Sequence, residues 1–167
     1  GSPVAHGFGG PDGFGYRFVD SDEAGGPAFD WQDISLTGIG ILELNGDDQV
    51  SRPIPLGFEF TYYGVTYRWV IVSTNGTLSF TTADPSAYTN QFLPSPAAPL
   101  SLIAPFWDDL HFGGANRATY AFDGSRFVVQ FTDVNRYEGG ARLTFQVELR
   151  ASGEIIFRYL TMTGVTT

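Results

Sequence analysis

Two adjacent aspartates, Asp108 and Asp109, close the run Ile103–Leu110 (IAPFWDDL), and His111 follows. Carboxylates beside an imidazole suit three kinds of chemistry: hydrolysis by general acid and base, capture of a hard cation, or anchoring of a strand's end. Adjacent strand residues point to opposite faces, so both carboxylates reach one cleft only across a bulge. Glycosidase pairs stand ~5–9.5 Å apart across a sugar, and such partners come from different strands. A hydrolase built on Asp108 or Asp109 with His111 also finds no serine in a Gly-x-Ser-x-Gly setting. The other histidine, His6, lies in a glycine-rich N-terminal stretch and offers no zinc partner.

A hard cation fits better. Carboxylates near Gly113-Gly114, with backbone carbonyls beside them, can build the oxygen cage that calcium takes. A second acidic group, Asp20, Asp22 and Glu23 in VDSDEAGGP, spaces acids ahead of a glycine turn as half of a calcium loop does. It lacks the spacing and the terminal glutamate of an EF-hand. Asn45-Gly46-Asp47-Asp48 reads as a solvated turn and nothing more. Calcium is the one cofactor these clusters suit.

Aromatic side chains are the remaining resource, with 15 Phe, 8 Tyr and 3 Trp. Most of them must be core. Tyr63 and Tyr67, flanking a hairpin tip, and Tyr88, in a proline-rich loop, are placed for exposure and for stacking on a ligand such as a sugar. With His111 they form the candidate ligand-binding set.

Composition narrows the partners. A formal net charge of −9 repels nucleic-acid backbones and anionic lipid surfaces. All nine basic residues are arginine, as a GC-rich genome favours. The absence of cysteine removes disulfides, thiolate metal sites and cysteine nucleophiles. No stretch reaches the ~20 consecutive apolar residues of a membrane-spanning helix, so insertion into a membrane is not expected.

The elements that must position these residues read as strands. Helical periodicity is almost absent, and 21 Gly and 10 Pro punctuate the chain. In Arg142–Arg150 (RLTFQVELR), Leu143, Phe145, Val147 and Leu149 alternate with polar residues, which predicts one buried face and one wet face. Arg126–Thr132 and Glu154–Leu160 alternate similarly, and Asp123-Gly124-Ser125 and Ala151-Ser152-Gly153 supply turns. Upstream, Ile54–Tyr62 and Thr66–Ser73 flank Tyr63-Gly64-Val65, and Asn75-Gly76 leads into Thr77–Thr81. Tyr16–Asp20, Trp31–Leu36, Ser101–Trp107 and Ala118–Phe122 complete the strands, and residues 82–100 read as a long ordered loop. About ten short strands without helices predict an all-β fold, an antiparallel β-sandwich. Gly1-Ser2 reads as a cloning remnant ahead of a flexible segment, 1–13, with a single domain over 14–167.

The succession IPLGFEFTYYG, VIVSTNGTLSF, IAPFWDDL, RFVVQFTDV and LTFQVELRASGEIIFRYL resembles the nidogen-type (NIDO-like) extracellular domains. The closest likeness is to those of bacterial secreted proteins, some proteases among them. In that family a Ser-x-Asn-Gly-x-[Ile/Leu]-x-Phe phrase precedes an Ile-Ala-Pro-Phe-Trp-x-Asp phrase. Ser73, Asn75, Gly76, Leu78 and Phe80 match the first, and Ile103–Trp107 with Asp109 match the second. The resemblance spans roughly residues 14–160 and implies further strands after 160, so that the domain would continue past 167. It also implies that IAPFW is a central strand from which Asp109 emerges to tie the turn at Asn75-Gly76. It carries over no catalytic residue.

The expectation is a non-catalytic accessory or adhesion module of a secreted or surface protein, bound to an extracellular protein or glycan. Its rivals are a carbohydrate-binding module with structural calcium and the small hydrolase above. An open sheet edge would offer a route to self-association.

Overall fold

The computed structural model describes residues 7–83, 85–93, 96, 98, 100–114 and 117–165, so His6 lies outside the described residues. The chain divides into two compact units, Gly1–Trp31 and Gln32–Thr167. In the first, β1 (Phe8–Gly9) and β2 (Phe18–Val19) form an antiparallel pair with Phe8 opposite Val19. The loop between them is organised by Asp12, whose carboxylate accepts from the backbone N–H groups of Phe14 and Tyr16, both at 2.9 Å. Phe29 stacks on Trp31 at 6.3 Å.

The second unit is an antiparallel β-sandwich. Its strands are β3 (Ile39–Gly40), β4 (Ile54–Tyr62), β5 (Val65–Val72), β6 (Leu78–Ser79), β7 (Leu102–Ile103), β8 (Leu110–His111), β9 (Ala118–Phe122), β10 (Arg126–Arg136), β11 (Arg142–Arg150) and β12 (Ile155–Thr163). One sheet runs β4-β5-β6-β7. The other runs β12-β11-β10-β9-β3, with β8 also paired to β10. Among the described residues there is no helix, and none long and apolar enough to cross a membrane.

One hydrophobic cluster fills the space between the sheets. Ile54, Leu56, Phe60, Val70, Val72 and Leu78 come from the smaller sheet and meet Phe127, Val129, Phe131, Leu143, Phe145, Val147 and Leu149 from the larger. The register explains the match: Phe127, Val129 and Phe131 stand opposite Leu149, Val147 and Phe145, so their side chains share a face. Phe131 stacks on Phe145 at 4.6 Å.

Irregularities in this frame have identifiable causes. The register of β10 shifts between Phe131 and Val134, where Asp133 takes φ +54°. The bulge lets the end of β10 reach β8, pairing Asn135 with His111 and Arg136 with Leu110. Arg117 and Arg142 both ion-pair with the Asp133 carboxylate.

Three expectations need correction. The Ser101–Trp107 strand shrinks to Leu102–Ile103, because Pro105 brings no N–H to a ladder and the chain then turns irregularly to β8. Residues 31–36 form no strand. The wet face of β11 is not wet: Gln146 and Glu148 are each 1% exposed. Thr119, Gln130, Gln146 and Arg158 form one cross-strand row on that face, and residues 32–34 cross it as a strap. Gln146 Nε2 donates to Gln32 O (2.7 Å), Gln130 Oε1 accepts from Ile34 N–H (2.9 Å), and Thr119 Oγ1 donates to Ile34 O (3.2 Å).

Candidate functional site

The link between β5 and β6 is the five-residue turn Ser73–Thr77, closed by Ser73 N–H donating to Thr77 O at 2.9 Å. Gly76 sits at φ +72°, and a Cβ there would stand 2.0 Å from the Phe106 carbonyl oxygen. Only glycine fits both the dihedral and the space. Asn75 beside it is fully buried. Its amide donates to Asp48 Oδ1 (2.8 Å) and to Ser86 O (2.9 Å), and its Oδ1 accepts from Leu110 N–H (3.1 Å). One side chain thus draws three remote segments to the end of the sheets.

The 45–49 turn is fastened there by more than Asn75. Gln49 Oε1 accepts from the N–H groups of Asn45 and Gly46, both at 2.7 Å. Thr74 N–H donates to Gln49 O (2.9 Å), and Phe112 N–H donates to Gly46 O (2.8 Å). The outcome is that the carboxylates of Asp47, Asp48 and Asp109 converge, with ligand oxygens all within 4.8 Å of one another. Among the described residues no arginine or histidine pairs with them. Desolvation pushes the Asp109 carboxyl above its ordinary range, and the charges of Asp47, Asp48, Asp108 and Glu138 push it further.

Asp108 is spent differently. Its Oδ2 lies 2.7 Å from Arg136 Nε, and its Oδ1 accepts from Asp109 N–H at 2.9 Å. The carboxylate on the Asn75 turn is that of Asp48, not Asp109. His111 makes an edge contact with Tyr137 at 6.3 Å and no hydrogen bond to either aspartate. In the other acidic group, Asp20 Oδ1 accepts from Asp22 N–H and Glu23 Oε1 from Gly7 N–H. Those three carboxylates do not converge as a ligand set among the described residues.

Asp47 and Asp48 are the residues that sequence reasoning passed over. The only signal was a pair of acids in a glycine turn, which is ordinary on a surface. Nothing in their spacing joins them to Asp109; the buried Asn75 does.

At the β4–β5 hairpin, Tyr63 and Tyr67 line a cavity of about 280 Å³ together with Tyr62, Val65, Ser101 and Leu102. Tyr88, though 51% exposed, and His111 are not among its lining.

Comparison with known proteins places the chain in a family. Residues 25–167 match a family model described as NIDO related. The chain is 39% identical over 71 residues to alpha-tectorin of Mus musculus and 38% identical over 71 residues to that of Homo sapiens. Each match covers 40% of this chain and 3% of the relative, so the chain spans a small fraction of those proteins' length. No solved structure matches significantly. With the family model covering most of its length, the chain belongs to the NIDO-related family.

Proposed function

We propose that this chain is a non-catalytic module of a secreted or cell-surface protein, that it attaches that protein to an extracellular partner, and that its acidic end takes calcium. The NIDO-related membership and the likeness to alpha-tectorin support the extracellular role. The calcium reading rests on the convergence of Asp47, Asp48 and Asp109, with which no arginine or histidine among the described residues pairs. Oxygen-only donors and several negative charges suit a hard cation, whose binding would offset their mutual repulsion. A hydrolytic reading is less favoured, because Asp108 is committed to Arg136 and His111 makes no hydrogen bond to either aspartate.

Thermal unfolding in calcium, against the same protein in chelator, tests the cation. Ligand at a hundredfold excess over Kd stabilises a folded state by about 2.7 kcal/mol. Asp109→Asn separates the two terms. Because the folded-state carboxyl is raised above its ordinary 3.8, ionised Asp109 costs stability at neutral pH, and that cost shrinks as pH falls below the folded value and is gone below the ordinary one. The variant is therefore expected to unfold at a higher temperature in chelator and to lose the calcium shift. An unchanged calcium shift in Asp109→Asn, or no shift in the parent, sinks the proposal for this site.

A further inference from the structure

The cavity at the β4–β5 hairpin has features that a packing defect does not require. The hairpin closes through Tyr63 (φ +47°) and Gly64 (φ +79°), with Tyr62 opposite Val65. This is the geometry of a two-residue turn whose first position favours Asn, Asp or Gly. A tyrosine is held there instead, 42% exposed, with its ring edge-on to Tyr62 at 4.7 Å. Ser101, on the opposite lip, is also left-handed, at φ +53°. Two lining residues thus hold a backbone conformation that non-glycine residues rarely adopt, as happens where surrounding structure imposes a functional geometry.

The wall behind them is rigid. Tyr67 stacks on Phe80 at 4.5 Å, and Tyr62 donates its hydroxyl to Leu102 O at 2.8 Å. The polar lining includes the Tyr67 hydroxyl, 3.2 Å from Ser101 Oγ. Two hydroxyls carry two protons and share one hydrogen bond, so the pair retains one proton to donate and lone pairs to accept. Among the described residues, no charged side chain lines the cavity.

From these features we infer that the cavity is a binding site for one pyranose ring of a neutral saccharide. The described lining is uncharged and gives no partner to an ionic ligand. Tyrosine rings stack on the C–H face of a sugar, while the Tyr67–Ser101 pair both gives and accepts, as a sugar hydroxyl does. A prolyl segment would use the rings equally but has no N–H to give. A volume of about 280 Å³ lies at the small end of ligand pockets, which begin near ~300 Å³, and suits a single ring.

The inference deepens the attachment role and rests on it, but not on calcium, so the test is run in chelator. Backbone amide NMR signals are followed during titration with methyl glucoside, galactoside and mannoside and N-acetylglucosamine, and separately with a capped triproline peptide. At least one pyranoside is expected to shift the signals of Tyr63–Val65 and Ser101–Leu102. Tyr63→Ala should weaken that binding at least tenfold. Tyr67→Phe, which keeps the ring and loses the hydroxyl, should weaken it about three- to tenfold. Silence with every pyranoside, shifts confined to other residues, or the same signals moving only with triproline would overturn the inference. An unfolded Tyr63→Ala leaves Tyr67→Phe to decide, and unchanged affinity there also overturns it. A calcium-dependent stabilisation without any pyranoside response would refute the sugar site and leave the cation proposal standing.

Discussion

Along β11, Phe145 and Val147 are buried on one side of the sheet, and Gln146 and Glu148 are buried on the other. The first side is covered by the smaller sheet and is held by apolar area, a force without direction that tolerates changes of shape at constant volume. The second side is held by partners placed atom by atom. Gln146 Nε2 donates to both Gln130 Oε1 and Gln32 O, at 2.7 Å each, and Gln130 Nε2 donates to Asp33 Oδ1 at 2.8 Å. Glu148 is clamped between Arg150 Nε at 2.6 Å and Arg158 Nη1 at 2.8 Å. Burial is equal on the two sides, but on the second each lost partner leaves a specific buried polar group unsatisfied.

The largest loss belongs to the apolar side. Phe131→Ala is expected to cost about 3–5 kcal/mol in equilibrium urea unfolding, because Phe131 is fully buried against Phe145 and Phe112. Phe131→Leu should recover most of that. A loss under about 1 kcal/mol for the alanine variant would show that the sheets do not meet here.

Next comes the buried ion pair. Arg158→Met strands the Glu148 carboxylate with Arg150 alone and should cost about 3 kcal/mol. Adding Glu148→Leu should restore most of it, whereas adding Phe145→Ala to Phe131→Ala should restore nothing. Desolvation raises the Glu148 carboxyl, but hydrogen bonds and charge from Arg150 and Arg158 outweigh it and hold the group below its ordinary 4.5. A folded value below the unfolded one gives stability that is complete above about pH 5 and lost as pH falls through the folded value. The acid-unfolding midpoint of Arg158→Met should therefore move to higher pH. An unmoved midpoint would mean that the pair contributes packing alone.

The smallest effect is on the strap. Gln130→Ala removes the acceptor for Ile34 N–H and Gln146 Nε2 and should cost about 1–3 kcal/mol. Hydrogen exchange at Ile34 should quicken well before that of Val129, the neighbour of Gln130 in β10. Equal acceleration at both positions would make the strap part of the global core and erase the distinction between the faces.

Much of the frame was legible in the chain. Period-two alternation located Arg142–Arg150, and neighbouring turns located Ile54–Tyr62 and Ala118–Phe122, with the ends the structure has. Alternation says which side chains share a face, but not what will lie over it. That is why the polar face of β11 read as wet: its cover comes from 114 residues away in sequence at Gln146–Gln32. Residues 31–36 carried strand-like composition, yet the strap spends its backbone groups on glutamine and threonine side chains and forms no ladder. At the acidic end, Asp109 stood out as a terminus of an apolar run. Asp47 and Asp48 did not, because an exposed acidic turn is the commonest place for aspartate.

Composition and local pattern alone determined that the chain is all-β, acidic and free of cysteine chemistry, and which residues face inward along its long strands. These properties follow from side-chain period and turn chemistry, which act over a few residues. Tertiary structure decided which faces were covered and which carboxylates met. Asn75, buried in the turn before β6, joins Asp48 to Leu110, and the β4–β5 hairpin meets Ser101 across a cavity. Those meetings depend on hydrogen bonds and packing between segments whose separation along the chain carries no periodic signal.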